Sequence, residues 1–414
     1  MKLRKLIQNK LSFYFTKLKG DLSKPETRCL REMVVGILKN RTVLVNKIAS
    51  GIKDDLSLSQ TTKRFRNHYN KEDYEQKVHA AHLQSVSHKV KSIGYMAVDG
   101  SDILKTYAKY MEGLDYVHDG DKGGIGLGYW LMNTIYVDDY TIIPLHNKLY
   151  SFDCGARSEN LEVMESRTFI EEHINTELTW LYDRGMDILR DYIIPASGSF
   201  VLRLKKTTQL IYKGKAIKVA QLSKQIELTE KLTAVMAGRS KPKMVNYKGG
   251  ALKVQYEVND QLYDLFLVSM KKESGGYCWL LTNLEESNAS QLIQATFKAY
   301  GHRWKIEEYH RHIKNQYNLE DIQVKTFDGL QSMLAILVVA MNFIYNEFGS
   351  LHIKLILESG VKTMNKGIVR ELTNFIYYKV SAIVSNLIAD MKPRALLPLM
   401  KIPDKPTQLN LNFN

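Results

Sequence analysis

Cysteine is scarce in this sequence of 414 residues, which contains only three. Cys29, Cys154 and Cys278 are odd in number and far apart, which fits a reducing compartment and argues against a disulfide framework. They form no group with the histidines at the spacing of zinc ligands. We therefore do not expect structural zinc.

Long apolar runs are also missing. The longest, at residues 333–345, is interrupted by Asn342 and is shorter than the roughly 18 residues of a membrane span, so it suits a buried helix. The N-terminus carries lysines and arginines but lacks the apolar stretch and cleavage site of a signal peptide. We expect a protein of a bacterial-type cytoplasm that has no membrane partner. Its 44% of hydrophobic residues suffice for two or three domains.

Negative charge is in deficit, and the deficit lies at the N-terminus. Residues 1–90 contain 19 lysines and arginines against 8 aspartates and glutamates, and so carry +11 of the net charge of +14. A basic excess confined to one region is typical of binding to a polyanion such as DNA. Helices are predicted there at 24–39, at 43–52 and from Ser57 onward.

The helix that begins at Ser57 carries the best candidates for DNA contacts. These are Lys63, Arg64 and Arg66, in a segment that could enter a groove as part of a helix-turn-helix. A solvated basic bundle is the alternative, because short helices with a basic face are common.

From about residue 91 the pattern changes to short apolar or alternating segments. They predict a helix at 161–177 and strands at 95–99, 129–137, 141–149 and 178–183. The pattern itself indicates a mixed α/β class. Two of these strands end in an acid, Asp99 before Gly-Ser and Asp183 before Arg-Gly, although aspartate near glycine is also a common turn former.

The segment YGHRWKIEEYHRHIK is the most informative part of the chain. At roughly 100° per residue, a helix places Tyr300, Arg303, Glu307, His310 and Lys314 on one face. That face carries an acid flanked by cations. The alternative is an ordinary ion pair between Arg303 and Glu307 on a surface helix. For His310, a solvated or structural role is favoured.

An apolar stripe lies beside the charged face of this predicted helix. Ile306, Tyr309 and Ile313 form the stripe, which can dock the helix on a core. Trp304, inside the same segment, is predicted to pack. We interpret the helix as half structural and half chemical.

The order Tyr-x2-Arg-x3-Glu-x6-Lys resembles the signature of the Tyr-Arg-Glu-Lys transposases. They are the insertion-sequence-four family of cut-and-paste bacterial transposases, which have an Asp-Asp-Glu triad. All four signature positions fit without a gap, and two candidate aspartates precede them in order. The resemblance implies a ribonuclease-H-like core and assigns catalysis and metal binding to Asp99, Asp183 and Glu307. Asp102, three residues beyond Asp99, could replace or assist the first acid.

Three carboxylates suit metal-dependent cutting and joining of a phosphodiester. Two divalent ions about 4 Å apart can activate the attacking oxygen and stabilise the leaving oxygen. Mg²⁺ prefers oxygen ligands and keeps several waters, so the three acids suffice for two ions, with Mn²⁺ as a substitute. In the family, the residues matching Tyr300, Arg303 and Lys314 hold the transposon end against the metals, and the resemblance implies that role here.

The long gap between Asp183 and Glu307 has a strand-like filling. Strands are predicted at 200–204, 216–222, 252–258, 262–268 and 277–281, with Lys248-Gly-Gly as a turn. We interpret residues 200–285 as a β-rich insertion in the catalytic domain, as in family members. Arg203 and Lys205 alternate on its first strand and resemble family contacts to DNA; a solvated strand face is the alternative.

Trp279 lies 28 residues before Glu307. In relatives that cut through a hairpin intermediate, a tryptophan at this spacing stacks on a base flipped from the duplex. A flat indole suits that role, since stacking contributes roughly 1–3 kcal/mol per base. A core position in a strand is the alternative.

Together these observations predict three regions. Residues 1–90 form a basic helical domain that binds DNA ends, residues 91–328 the catalytic domain, and residues 329–414 a helical region with helices at 330–346 and 368–389. Relatives use such a C-terminal region to pair two subunits, which implies a homodimer. The expected activity is cleavage at the terminal inverted repeats of an insertion sequence and strand transfer into target DNA. A non-transposing nuclease and a catalytically silent regulator are the alternatives.

Overall fold

The computed structural model describes residues 2–18, 20–52, 56–106, 108, 110–118, 123–236, 243–363 and 376–391. The helices are α1 (Lys2–Lys17), α2 (Lys24–Asn40), α3 (Val45–Ser50), α4 (Leu58–Tyr69), α5 (Tyr74–Val86), α6 (Glu159–His173), α7 (Arg190–Ile193), α8 (Val219–Leu222), α9 (Ala289–Tyr317), α10 (Phe327–Asn346), α11 (Ser350–Thr363) and α12 (Ile376–Ile388). The strands are β1 (Tyr95–Leu104), β2 (Asp115–His118), β3 (Ile125–Val137), β4 (Ile142–Tyr150), β5 (Thr179–Tyr182), β6 (Ser199–Arg203), β7 (Gln209–Tyr212), β8 (Lys215–Lys218), β9 (Glu230–Met236), β10 (Lys243–Val258), β11 (Gln261–Lys272) and β12 (Tyr277–Thr282).

Two of the N-terminal helices begin at capping boxes, in which the side chains of two residues satisfy each other's backbone N–H groups. Ser23 accepts a bond from the N–H of Glu26, and the Glu26 carboxylate accepts one from the N–H of Ser23 at 2.9 Å. Ser57 and Gln60 form the same arrangement before α4. The three helices predicted in this region are confirmed as α2, α3 and α4.

Helix α10 is the centre around which the helices pack. Its residues from Gly329 to Tyr345 are buried except Gln331. Helices α2, α4, α5 and α12 and strand β4 contact it, and the hydroxyl of Tyr14 on α1 donates to the carbonyl of Val339 at 2.8 Å. Although α10 is long and apolar enough to cross a membrane, it is a core helix here. The N-terminal and C-terminal helices therefore share one core.

The helices predicted after the catalytic region are partly described. The helix predicted at 330–346 is confirmed as α10. Of the helix predicted at 368–389, the described part is α12, and positions 368–375 lie outside the described residues. Residues 392–414 of the predicted C-terminal region lie outside them as well.

The described strands, twelve in number, form one mixed sheet. Its order is β2-β3-β1-β5-β6-β12-β11-β10-β7-β8, with β4 paired to β3 and β9 paired to β10. Strands β1, β5 and β6 are parallel, whereas β3 and β12 flank them as antiparallel neighbours. Trp180, Leu181 and Tyr182 are all buried, as expected for a parallel strand covered on both faces. The expected mixed α/β class is confirmed.

The prediction that the first strand ends at Asp99 is wrong. Strand β1 continues to Leu104 because its antiparallel partner β3 continues alongside it, as far as the pair Leu104↔Gly128. Only the parallel pairing to β5 stops there, with Val98↔Tyr182 as its last pair. The acid thus lies where one neighbour ends, not where the strand ends.

The β-rich region extends the central sheet. The strand predicted at 200–204 is β6, which pairs with β5 on one side and with β12 on the other. Strands β7 to β12 continue outward from it, and sequence reasoning missed β7 and β9. The strand predicted at 216–222 is wrong in its second half, since β8 ends at Lys218 and the helix Val219–Leu222 follows.

The predicted turn at Lys248-Gly-Gly is also wrong. Gly249 and Gly250 lie inside β10, where an added Cβ at Gly250 would stand 2.1 Å from the carbonyl oxygen of Glu227. Close packing therefore requires glycine there. The hairpin turn lies at Asn259 and Asp260, which both have positive φ, between the paired residues Val258 and Gln261.

We predict that Gly250→Ala destabilises the protein by about 2–3 kcal/mol, because the main chain of residue 227 must move to admit the methyl group. Urea unfolding followed by circular dichroism measures the effect. Gly349→Ala is the matched control, since an added Cβ there meets nothing within 4 Å. Equal unfolding midpoints for the two variants would contradict the close packing of β10.

Lys71 supports the start of α2 through its 2.7 Å ion pair with Glu26. Burial favours the protonated acid, but Lys71 and the Ser23 hydrogen bonds outweigh it and lower the pKa of Glu26 from 4.5 to about 2. A depressed carboxyl pKa stabilises the fold above the unfolded value and loses that effect as the pH falls toward the folded value. We therefore predict that Lys71→Met lowers stability by about 1 kcal/mol near pH 7, and that this difference shrinks between pH 4.5 and 2.

Urea midpoints measured across that pH range test the prediction, with Lys63→Met as a control for loss of an exposed lysine. A difference between wild type and Lys71→Met that does not change with pH would exclude the ion pair as its cause.

Candidate active site

The two predicted aspartates lie side by side where the parallel pairing of β1 with β5 ends. Val98 of β1 pairs with Tyr182 of β5, and Asp99 and Asp183 are the residues that follow. Because the carboxyl ends of parallel strands meet at the same edge of a paired segment, the two acids share one location. Strand pairing therefore places them, although they are far apart in sequence.

Helix α9 brings the third acid to the same place. Its N-cap Asn288 accepts a bond from the N–H of Gln291, and the helix then runs for 29 residues across β1, β3 and β5. Ile306, Tyr309 and Ile313 are at most 1% exposed, which confirms the predicted apolar stripe. Their burial fixes the rotation of the helix and directs Glu307 toward the aspartates.

Arg303 joins the three carboxylates. Its Nη1 lies 3.4 Å from Asp99 Oδ2, its Nε lies 3.8 Å from Asp183 Oδ1, and its Nη2 pairs with Glu307 Oε1. The guanidinium is only 6% exposed. The ion pair between Arg303 and Glu307 that sequence reasoning allowed is present, but it is one part of a four-residue cluster.

Two further residues of the site converge on Asp183. The Tyr300 hydroxyl donates to Asp183 Oδ1 at 2.8 Å. Arg203 donates through Nη1 to the same oxygen and to the Tyr300 hydroxyl, both at 3.4 Å. The structure thus brings together Asp99, Asp183 and Glu307 with Tyr300, Arg203 and Arg303 from the predicted site.

Burial and neighbouring charges shift the pKa values of the two aspartates in opposite directions. Burial raises the pKa of Asp99 to about 7, with the other two acids adding to the effect and Arg303 opposing it. At Asp183, burial is outweighed by Arg303, by the Arg184 main chain and by Tyr300, so its pKa is lowered. The carboxylates in turn raise the pKa of Arg303 despite its burial, so this guanidinium stays charged.

Lys314 and Asp102 lie together beside this cluster. Lys314 Nζ lies 3.7 Å from Asp102 Oδ2 and 3.3 Å from Glu320 Oε1. The contact of Arg303 with Asp99 supports Asp99 as the first acid, with Asp102 as a neighbour. Burial and the nearby Lys314 and Arg303 lower the pKa of His310 to about 3.

A basic cleft of about 520 Å³ opens beside Asp183. Its lining includes three predicted residues, Arg203, Lys205 and Trp279. Strand β6 ends at Arg203, so Lys205 lies just beyond it rather than on it, contrary to the prediction. Sequence reasoning missed Tyr277, whose ring stacks on Trp279 with centroids 5.9 Å apart; the spacing of two along a strand is a signal that could have found it.

Arg184 and Lys206 complete the basic lining of this cleft. Arg184 directly follows Asp183 and begins a short 3-10 helix, Arg184–Leu189, whereas Lys206 lies in the turn after β6. Four cations and two stacked aromatic rings therefore share one wall. Such a combination is typical of sites for single-stranded nucleic acid.

The remaining predicted residues lie elsewhere. Lys63 and Arg66 are exposed on α4, whereas Arg64 pairs with the buried Glu32 at 2.6 Å. The prediction that Trp304 packs inside the protein is wrong, since it is 43% exposed. Because Arg303 and Ile306 face the sheet, the side chain of Trp304 points away from the sheet.

A known protein family matches the part of the chain that contains most of this site. Residues 149–343 match the family model of the transposase DDE domain. The matched region includes Asp183, Trp279 and Glu307, and Asp99 precedes it. No curated protein matches the chain. The match supports a DDE transposase, a class of DNA-recombining enzymes that use divalent metal ions.

We predict that Arg303→Met increases the affinity of the DNA-free protein for Mn²⁺ by tenfold or more. A unit charge about 4 Å away changes the energy of an ion by roughly 4 kcal/mol at an effective dielectric constant of 20, and each 1.4 kcal/mol is tenfold in affinity. Isothermal titration calorimetry measures the change. Arg311→Met is the control, because Arg311 pairs with Glu308 on the same helix. Equal or weaker Mn²⁺ binding by Arg303→Met would refute competition between the guanidinium and the ion.

Proposed function

We propose that this protein is a cut-and-paste DNA transposase of the insertion-sequence-four type with the Tyr-Arg-Glu-Lys signature. The observation that carries the proposal is the cluster in which Arg303 joins Asp99, Asp183 and Glu307, inside and just before the matched region. A partly buried set of three acids is costly to maintain, and its presence beside a basic cleft favours phosphodiester chemistry. The proposed activity is cleavage at terminal inverted repeats and strand transfer into target DNA.

The donor set fits hard divalent cations. Asp99, Asp183 and Glu307 offer only carboxylate oxygens, which Mg²⁺ prefers. These oxygens lie around the extended guanidinium of Arg303. We propose that they hold two Mg²⁺ ions, for which Mn²⁺ can substitute. When bound, such a pair supplies activation of the attacking oxygen and stabilisation of the leaving oxygen.

The residues around the acids have separate tasks in this proposal. Arg303 neutralises the acids in the free protein. When cations bind to the acids, Arg303 leaves the carboxylates and pairs with a phosphate of the DNA. Tyr300 and Arg203 hold Asp183 in place through hydrogen bonds to one of its oxygens. Lys314 reaches a second phosphate from the next part of the same helix face.

The fold supports a ribonuclease-H-like core. Strands β4, β3, β1, β5 and β6 form a mixed segment of sheet, in which Asp99 and Asp183 follow the last parallel pair of β1 and β5. Helix α9 covers this segment and carries the third acid. Strands β7 to β12 then act as the β-rich insertion. They are joined to the core through β12 and carry Trp279 to the edge of the site.

The cleft suggests the route of second-strand cleavage. A base flipped from the DNA end could stack on Trp279, whose ring already stacks on Tyr277. Arg184, Lys205 and Lys206 would meet the phosphates on either side. We propose hairpin formation, in which the freed 3′-hydroxyl attacks the opposite strand.

End recognition and assembly are assigned to the helices. Lys63 and Arg66 on the exposed side of α4 are proposed contacts to the terminal repeat, and Arg64 joins them only if it leaves Glu32. A homodimer formed through the C-terminal helices would hold one end per subunit. We place this activity in a bacterial cytoplasm, at the nucleoid through DNA.

The test is incubation of the purified protein with Mg²⁺ and DNA that carries the ends of its own element. Wild type should release a hairpin-ended fragment, and Glu307→Gln should slow cleavage by about 10³-fold, because several kcal/mol of transition-state stabilisation is lost. Glu308→Gln, which removes the neighbouring acid, is the matched control. Trp279→Ala should keep the first nick and lose hairpins. Trp304→Ala should retain both the nick and the hairpins.

The outcomes separate the alternatives. Flush or nicked ends that require Glu307, without strand transfer to a second DNA, would indicate a non-transposing nuclease. Binding of ends without any cutting would indicate a silent regulator. Full activity of Glu307→Gln would overturn the assignment of the triad.

A further inference from the structure

A second group of potential metal ligands lies inside the protein, where α5 meets β4. Glu75 and His79 are one turn apart on α5, and His146 lies on β4. Glu75 Oε1 lies 3.3 Å from His79 Nε2 and 3.9 Å from His146 Nε2. Both imidazoles therefore direct their Nε2 atoms at one carboxylate oxygen.

The group has the surroundings of a prepared ligand set. His146 Nδ1 forms a 2.7 Å hydrogen bond with the Ser166 hydroxyl on α6, and the main chain of Asn147 neighbours the His79 ring. Metal-binding histidines are commonly oriented in this way through the ring nitrogen that does not bind the ion. The two Nε2 atoms thus remain directed inward.

The group also contains polar atoms that lack hydrogen-bond partners in the described structure. His79 is fully buried, and neither of its ring nitrogens makes a hydrogen bond of good geometry. Burial raises the pKa of Glu75 to about 7 and lowers that of His146 to about 3. The nearby cation, Lys148, is paired with Glu162 and Glu165 at 3.3 and 3.4 Å. A divalent ion would satisfy a buried imidazole and a carboxylate that is only 15% exposed.

We propose that Glu75, His79 and His146 bind a zinc ion that fastens the N-terminal helices to the edge of the catalytic sheet. Two ligands at 2.0–2.1 Å from a tetrahedral zinc are about 3.3 Å apart. The distance from Glu75 Oε1 to His79 Nε2 already has this value, and that to His146 Nε2, 3.9 Å, would shorten on binding. An octahedral ion would require shorter separations, near 3.0 Å. Two neutral nitrogens and one carboxylate are a common zinc set, with a water in the fourth position.

This inference differs from the expectation from sequence that structural zinc is absent. The ligands come from residues 75–79 and from residue 146, which lie on different elements, so no short motif contains them. The site is separate from the proposed triad and does not depend on the proposed function. Its consequence is a metal-dependent link between the basic helices and β4.

The experiment measures metal in the full chain. Protein purified without chelator should contain about one zinc per chain by mass spectrometry. EDTA-treated protein should rebind Zn²⁺ with a rise in melting temperature, and Co²⁺ should give the visible absorption of a tetrahedral site. Glu75→Gln and His146→Asn should weaken binding of Zn²⁺ by at least tenfold.

Two controls locate the site. His82→Asn alters a buried histidine on the same helix, which bonds the carbonyl of Pro144 outside the ligand set, and should retain zinc. Asp99→Asn alters the triad and should also retain zinc. If His146→Asn fails to fold, Glu75→Gln, an isosteric change, carries the test.

Three results would overturn the proposal. The first is wild-type protein that neither contains nor rebinds zinc. The second is equal zinc binding by Glu75→Gln and wild type, which would place the ion elsewhere. The third is retention of iron in preference to zinc, which would replace the tetrahedral assignment.

Discussion

Three acids can share one partly buried site only if positive charge lies among them, and Arg303 supplies that charge. Without it, Asp99, Asp183 and Glu307 would repel one another in a region of low dielectric constant. The guanidinium therefore compensates the charge of the acids in the folded protein. Under the proposed function, binding of a divalent ion is an exchange, because the ion must displace this guanidinium.

The arrangement depends on helix α9 as a rigid spacer. Its buried stripe sets the rotation, so that Tyr300, Arg303 and Glu307 reach three different partners on the sheet from successive turns. The sheet then extends from β6 through β12, which brings Trp279 to the same edge as Asp183. The carboxylate cluster and the cleft that Trp279 lines are therefore adjacent because of one strand pairing.

The N-terminal and C-terminal helices pack around α10 and do not form separate units beside the sheet. The ion pairs of Lys17 and Lys89 with Glu347, at 3.1 and 3.0 Å, tie the first helix and the start of the sheet domain to the end of α10. The group of Glu75, His79 and His146 adds a connection from α5 to β4. The basic helices and the sheet edge are thus linked through packed elements.

Local patterns in the sequence determined the helix starts, the mixed α/β class and the fifteen-residue helical motif, because capping boxes, apolar periodicity and charge at fixed spacing are short-range properties. They also indicated which acids to expect in the site. Local patterns misplaced the Gly249-Gly250 segment, since glycine permits both a turn and a close approach of strands, and only the position of Glu227 distinguishes the two.

Other features were decided by the tertiary structure alone. The extension of β1 beyond Asp99 follows from its partner β3, and the exposure of Trp304 follows from the rotation of α9. The convergence of Glu75 and His79 with His146 arises from packing between elements separated by 67 positions or more. Sequence determined which groups the chain carries and which helices begin where; contacts between distant segments decided which of those groups meet.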